Sequence, residues 1–118
     1  MLAVRFNATT DGSGAAAQTL SAPGVMAIYA VEWDGSALTG GTLALSVPDA
    51  PNGATTLFSL AAANVKSVYY PRTSEHTTAG VAASTTTYSL VNGSLKIAVA
   101  GGGATKTVNC VVYLLEAI

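Results

Sequence analysis

Turn-forming residues interrupt this chain at intervals of about ten positions, and no segment between two breaks carries a helical apolar repeat long enough to bury a face. Thr9 to Gly14, Pro23 with Gly24, Asp34 with Gly35, Gly40 with Gly41, Pro48 to Gly53, Asn92 with Gly93, and Gly101 to Gly103 supply the breaks. Between them the apolar period is two. Leu2, Val4 and Phe6 alternate with Ala3, Arg5 and Asn7, while Leu43, Leu45 and Val47 alternate with Thr42, Ala44 and Ser46. Such a pattern selects half-buried strands. The run from Val25 to Trp33 is apolar on both parities as far as Glu32, which suits a central strand covered on two sides. Further strands are expected from Ala54 to Leu60 and from Val65 to Tyr70. Ala15 to Leu20 suits a single helical turn, and Ala61 to Asn64 fits a turn or a loop equally well.

Local chemistry predicts a hairpin at Asn92 and Gly93, a pair that accepts the positive φ angles of a type I′ turn. Its register would set Leu90 against Leu95, Tyr88 against Ile97 and Thr86 against Val99 on one face. A second hairpin is expected through Gly101 to Gly103 into the strand ending the chain. The sum is seven to eight short strands in an all-β fold. The architecture this implies is an antiparallel β-sandwich of jelly-roll or immunoglobulin-like form. The length of 118 residues suits one domain over 1–118, with residues 1–22 as an N-terminal strand and arm.

Charge is scarce. Five Lys and Arg and six Asp and Glu give a net charge of −1, and charged residues make up 9% of the chain against about 25% in average proteins. Clustered cations able to neutralise phosphates are missing, which argues against nucleic acid as a partner. No apolar run reaches the roughly 18 residues of a membrane helix, and the first residues do not read as a signal peptide. Ala, Gly, Thr and Ser fill the space that charges would take, so part of the surface is expected to be covered by copies of the same chain. The final run from Val111 to Ile118 points the same way. It is apolar on both parities apart from Glu116, so its outer face either lies within the sandwich or meets a neighbour. Val111, Tyr113, Leu115 and Ile118 are the candidate oligomer interface.

Catalytic chemistry finds little support. One His and one Cys without spaced partners do not make a metal site, and no cofactor motif is present. Ser74, Glu75 and His76 are consecutive, a spacing that gives a hydrolytic triad no reason to converge. Gly101 to Thr107 lacks the Gly before Lys106 that a phosphate loop requires. Cys110 reads as a buried structural thiol. Asp11, Asp34 and Asp49 each fall in or beside turns that explain them without a cation. The stretch from Pro71 to Ser84 lacks apolar periodicity and holds Arg72, Glu75 and His76. With Tyr69 and Tyr70 before it, this is the candidate partner-contact loop. Those two tyrosines have opposite parity, so one should point outward. Trp33, Tyr69 and Tyr70 are the aromatics available for stacking on a sugar, although packing is the commoner role.

The stretch from Val31 to Asp49, with its glycine turn, the run Gly41-Thr-Leu-Ala-Leu-Ser-Val47 and the Pro48-Asp49 turn behind it, resembles small virion proteins of tailed bacteriophages. Gly93 to Thr105 resembles their closing hairpin. The chain departs from the commonest version by carrying Asn52 to Phe58 where a Gly-Gly-x-x-Trp element often stands. Capsid decoration (cement) proteins are the closest group. The resemblance implies a non-enzymatic structural protein on the virion capsid surface, forming a homo-oligomer, commonly a trimer, and binding the major capsid protein. The alternative is a tail, fibre or baseplate module that binds a host-surface glycan.

Overall fold

The computed structural model describes residues 1–48, 54–76 and 82–116. Nine strands follow in order: β1 (Leu2–Thr9), β2 (Ala16–Asp34), β3 (Thr42–Val47), β4 (Thr55–Leu60), β5 (Lys66–Tyr69), β6 (Arg72–His76), β7 (Ala82–Tyr88), β8 (Leu90–Ala100) and β9 (Thr107–Glu116). Every pairing is antiparallel, and no helix occurs among the described residues. The protein is an all-β sandwich.

The 19-residue β2 organises it. Its first part, from Ala16 to Ala27, pairs with β8, and β8 continues to β3 and β4. Its second part, from Met26 to Asp34, pairs with β9, and β9 continues to β1. The last four residues of β2 also take β5 on the other side. One layer is therefore β4–β3–β8–β2 and the other β1–β9–β2–β5, with β2 common to both. Leu43, Leu45, Leu95, Ile97 and Val99 of the first layer join Phe6, Ile28, Val31, Trp33, Val108, Cys110, Val112 and Leu114 of the second in one continuous core. Burying a side chain of this size contributes about 1.5–3 kcal/mol each.

Two irregularities in β2 allow the switch. The ladder with β8 passes from Ser21–Ser94 to Val25–Asn92, leaving extra residues on β2 around Gly24. The ladder with β9 passes from Ile28–Leu114 to Ala30–Tyr113, so Tyr29 is an extra residue in a β-bulge. Bulges bend a strand and re-aim the side chain they carry. Tyr29 is exposed while Ile28 and Ala30 are buried.

Several expectations need correcting. Asn92 and Gly93 do not form a hairpin; they lie within β8, which runs unbroken from Leu90 to Ala100. Gly93 has φ 91°, but Asn92 is not among the residues with positive φ, so the type I′ geometry is not met. Val91, Leu95, Ile97 and Val99 share one parity and are all buried, whereas Leu90 is 55% exposed. A long partner in β2 rewards the extended form over the whole run, which outweighs the local turn preference. Gly101 to Gly103 does not close a hairpin either, because β2 stands between β8 and β9. The glycines carry the chain from one layer to the other across the end of the sandwich. There Gly102 N–H donates to Gly14 O (3.0 Å) and Thr39 N–H to Gly102 O (3.0 Å). Ala16 to Leu20 is strand, not helix, and Ala61 to Asn64 is a loop. Among the described residues there are nine strands, against the seven to eight expected, and β2 with 19 residues is far longer than the short strands expected.

Residues 2–9 pair along their whole length with β9, and residues 16–21 with β8. The separate piece is instead the β6–β7 ribbon, a two-stranded sheet of its own. Thr73 Oγ1 lies 2.9 Å from Ser89 Oγ at its base. The molecule measures 47 × 28 × 26 Å, longer along one axis than a round domain of this size.

Candidate functional site

Two surfaces stand out. The first is the outer face of the β1–β9–β2–β5 layer. Along β9 the even positions Val108, Cys110, Val112 and Leu114 are buried in the core. Val111, Tyr113 and Leu115 alternate with them on the outer side and are half-buried. The apolar character on both parities thus has two causes, one within the sandwich and one on its surface. Ile118, the fourth residue of the expected interface, lies outside the described residues, as do residues 49–53 of the expected Pro48 to Gly53 loop.

Register sets the neighbours of this face. Arg5, Val111, Glu32 and Val68 form one row across four strands, and Asn7, Asn109, Asp34 and Lys66 form the next. Tyr113 lies between Ala3 and Ala30. Its hydroxyl donates to Glu32 Oε2 (2.8 Å), and this bond to a carboxylate pushes the phenol pKa upward. Lys66 Nζ and Asp34 Oδ2 are 4.0 Å apart, an exposed pair of little energetic weight. An open recess of about 530 Å³ is lined by Glu32, Asp34, Lys66, Val68, Asn109 and Val111, among others. Val68 is 46% exposed. Arg5, Glu32, Asp34 and Lys66 share this face with the apolar Val68, Val111, Tyr113 and Leu115.

The second surface lies where the β6–β7 ribbon leaves the sandwich. Tyr29, Tyr70 and Tyr88 meet there, from the β2 bulge, the β5–β6 junction and the end of β7. The rings of Tyr29 and Tyr70 stand at 87° with centroids 6.1 Å apart, and those of Tyr29 and Tyr88 at 39° and 6.4 Å. The Arg72 guanidinium lies 4.4 Å above the Tyr88 ring, a cation–π contact. Its Nη1 donates to Pro71 O (2.7 Å) and Tyr29 O (3.1 Å), which ties the ribbon to the bulge.

The structure therefore divides the expected contact loop. Tyr70 is exposed, and Arg72 lies at the same corner through its contacts with Tyr29 O and the Tyr88 ring. Tyr69 turns the other way and packs on Phe58 with centroids 5.3 Å apart. Glu75 and His76 belong to β6 by backbone, and their side chains lie outside the described part. Trp33 is not a surface platform: it is 1% exposed, and its Nε1 donates to Ala63 O (2.8 Å). Sequence reasoning missed Tyr29 and Tyr88. Tyr29 was hidden in a run read as continuous strand, and Tyr88 was assigned to a hairpin that does not form.

The remaining candidates have structural partners. Cys110 is buried, and desolvation pushes its thiol pKa up to about 12. Asp11 Oδ1 accepts from Ser13 N, Ser13 Oγ and Ala15 N, which holds its carboxyl below the ordinary range. Asp34 does the same with Ser36 N and Oγ. Among the described residues no group of three His, Cys, Asp or Glu is arranged to hold a metal ion. Comparison with known protein families gives no match, and comparison with curated proteins gives none.

Proposed function

We propose that this protein is a non-enzymatic virion structural protein, a capsid decoration protein that assembles with copies of itself and clamps the mature head. The observation that carries the reading is the outer face of β9, where half-buried Val111, Tyr113 and Leu115 follow one another along the strand and Ala3 pairs with Tyr113. A row of apolar side chains on the outer side of a strand suits a binding face. Scarce charge favours a homo-oligomer, and the likeness of residues 31–49 and 93–105 to phage virion proteins favours a trimer seated on the major capsid protein. Action then follows from linkage. A ligand that binds the mature shell in preference to its disrupted form stabilises it by RT ln(1 + [L]/Kd) per site, about 2.7 kcal/mol at a hundredfold excess over Kd.

The test is immunogold electron microscopy of phage particles whose genome encodes the chain. Gold over the head surface is expected. Gold on the tail alone, or unlabelled particles, overturns the reading.

A further inference from the structure

Three of the five tyrosines meet at the base of the ribbon, and all three remain exposed: Tyr29 by 37%, Tyr70 by 58% and Tyr88 by 38%. Keeping them there has a structural cost. Tyr29 reaches the surface only because β2 gives up a ladder position to a bulge between Ile28 and Ala30. Arg72 is fixed by two carbonyls while it covers Tyr88, so the ribbon and the bulge hold their rings in a set geometry. Three sequence-distant pieces of chain thus combine to present rings that a core would otherwise bury.

We propose that this corner is a saccharide-binding site, taking one pyranose ring of an uncharged sugar into the angle formed by the touching rings of Tyr29 and Tyr70. The right angle between the two rings gives a wall and a floor. A pyranose has a flat C–H face to lie on an aromatic ring and a rim of hydroxyls, which the tyrosine hydroxyls can meet. Apolar stacking surface with a few polar groups at its edge is the ordinary form of a small-ligand site. A single-stranded nucleic acid also stacks on aromatics, but it needs a basic groove to follow its phosphates. Arg72 is the one cation at the cluster among the described residues, and in a chain of net charge −1 it does not provide one. The site needs no second subunit, so it stands apart from the assembly reading.

The experiment is saturation-transfer NMR on the full chain with maltotriose, chitotriose and cellotriose as probes and decaproline as the peptide control. Transfer to the ring C–H protons of at least one trisaccharide is expected. Tyr70→Ala should weaken that binding by about tenfold or more. Tyr70 lies outside every strand and is more than half exposed, so this variant keeps the fold. Tyr69→Phe, on the opposite side, should bind as the parent does. No transfer to any of the three sugars overturns the proposal. So does transfer that Tyr70→Ala leaves unchanged, or binding of decaproline at the cluster in place of sugar.

Discussion

The indole N–H of Trp33 donates to the carbonyl of Ala63 at 2.8 Å in the core, joining the end of β2 to the loop that follows β4. Gly35 lies against both groups. A Cβ there would run into the Ala63 carbonyl and the Trp33 ring, both held in place. Gly35→Ala is therefore expected to cost about 1–3 kcal/mol in a chemical melt, the ordinary range for overpacking. Trp33→Phe should cost at least as much, because it leaves a cavity and removes the donor to a buried carbonyl.

Asn92 and Gly93 separate two ways of reading the chain. In a two-residue turn Asn92→Val would cost about 1 kcal/mol or more, because a β-branched residue resists positive φ. Within β8, where Asn92 is exposed and extended, that substitution should change stability by no more than about 0.5 kcal/mol. Gly93→Val should be the costly one, since Gly93 holds φ 91°. Urea melts of the two variants decide between turn and strand.

That pair also shows how far the sequence was legible. Strand character and the alternation of β1 and β3 followed from period-two patterning, because side-chain burial there is a local property. Pairing did not follow. Asn92 and Gly93 have the chemistry of a turn, yet Ala16 to Ala27 of β2 lie alongside β8 and pair with it in the extended form. A partner so distant in sequence leaves no local mark. The outer face of β9 was legible for the reverse reason, as Val111, Tyr113 and Leu115 broke an alternation that a solvated strand should keep. Two of the three clustered tyrosines were not, since a bulge at Tyr29 changes parity without changing composition and Tyr88 was read into a hairpin that does not form.

Leu115→Asp places a charge on the outer face, away from Leu114, which fills the core. Its expected effect is loss of the oligomer with a far-UV spectrum and melting cooperativity close to those of the parent. Light scattering alongside circular dichroism reads both quantities, and an unchanged oligomer mass would remove this face from the interface.

Acid should destabilise the protein through two exposed carboxylates. Asp11 and Asp34 accept turn hydrogen bonds when ionised, which lowers their folded pKa below the ordinary 3.8. A depressed pKa gives stability that is complete above the unfolded value and is lost as pH falls through the folded one. Melting temperature should thus be insensitive to these groups above about pH 5 and fall below about pH 4. The double variant Asp11→Asn, Asp34→Asn should show a shallower acid slope. An identical slope would mean that other carboxyls set it.

Cys110 should be inert in the folded protein. Burial lifts its thiol to about 12, so almost no thiolate exists at neutral pH. Ellman's reagent is expected to leave native protein unmodified over hours and to titrate one thiol after denaturation. Rapid native labelling would show that β9 opens.

Self-assembly through the outer face of β9 is most directly tested by the native mass of the purified chain at low micromolar concentration. A stable trimer, near three times the chain mass of 11.7 kDa, is the expected result. A clean monomer would contradict it, because Val111, Tyr113 and Leu115 would then face solvent without a partner.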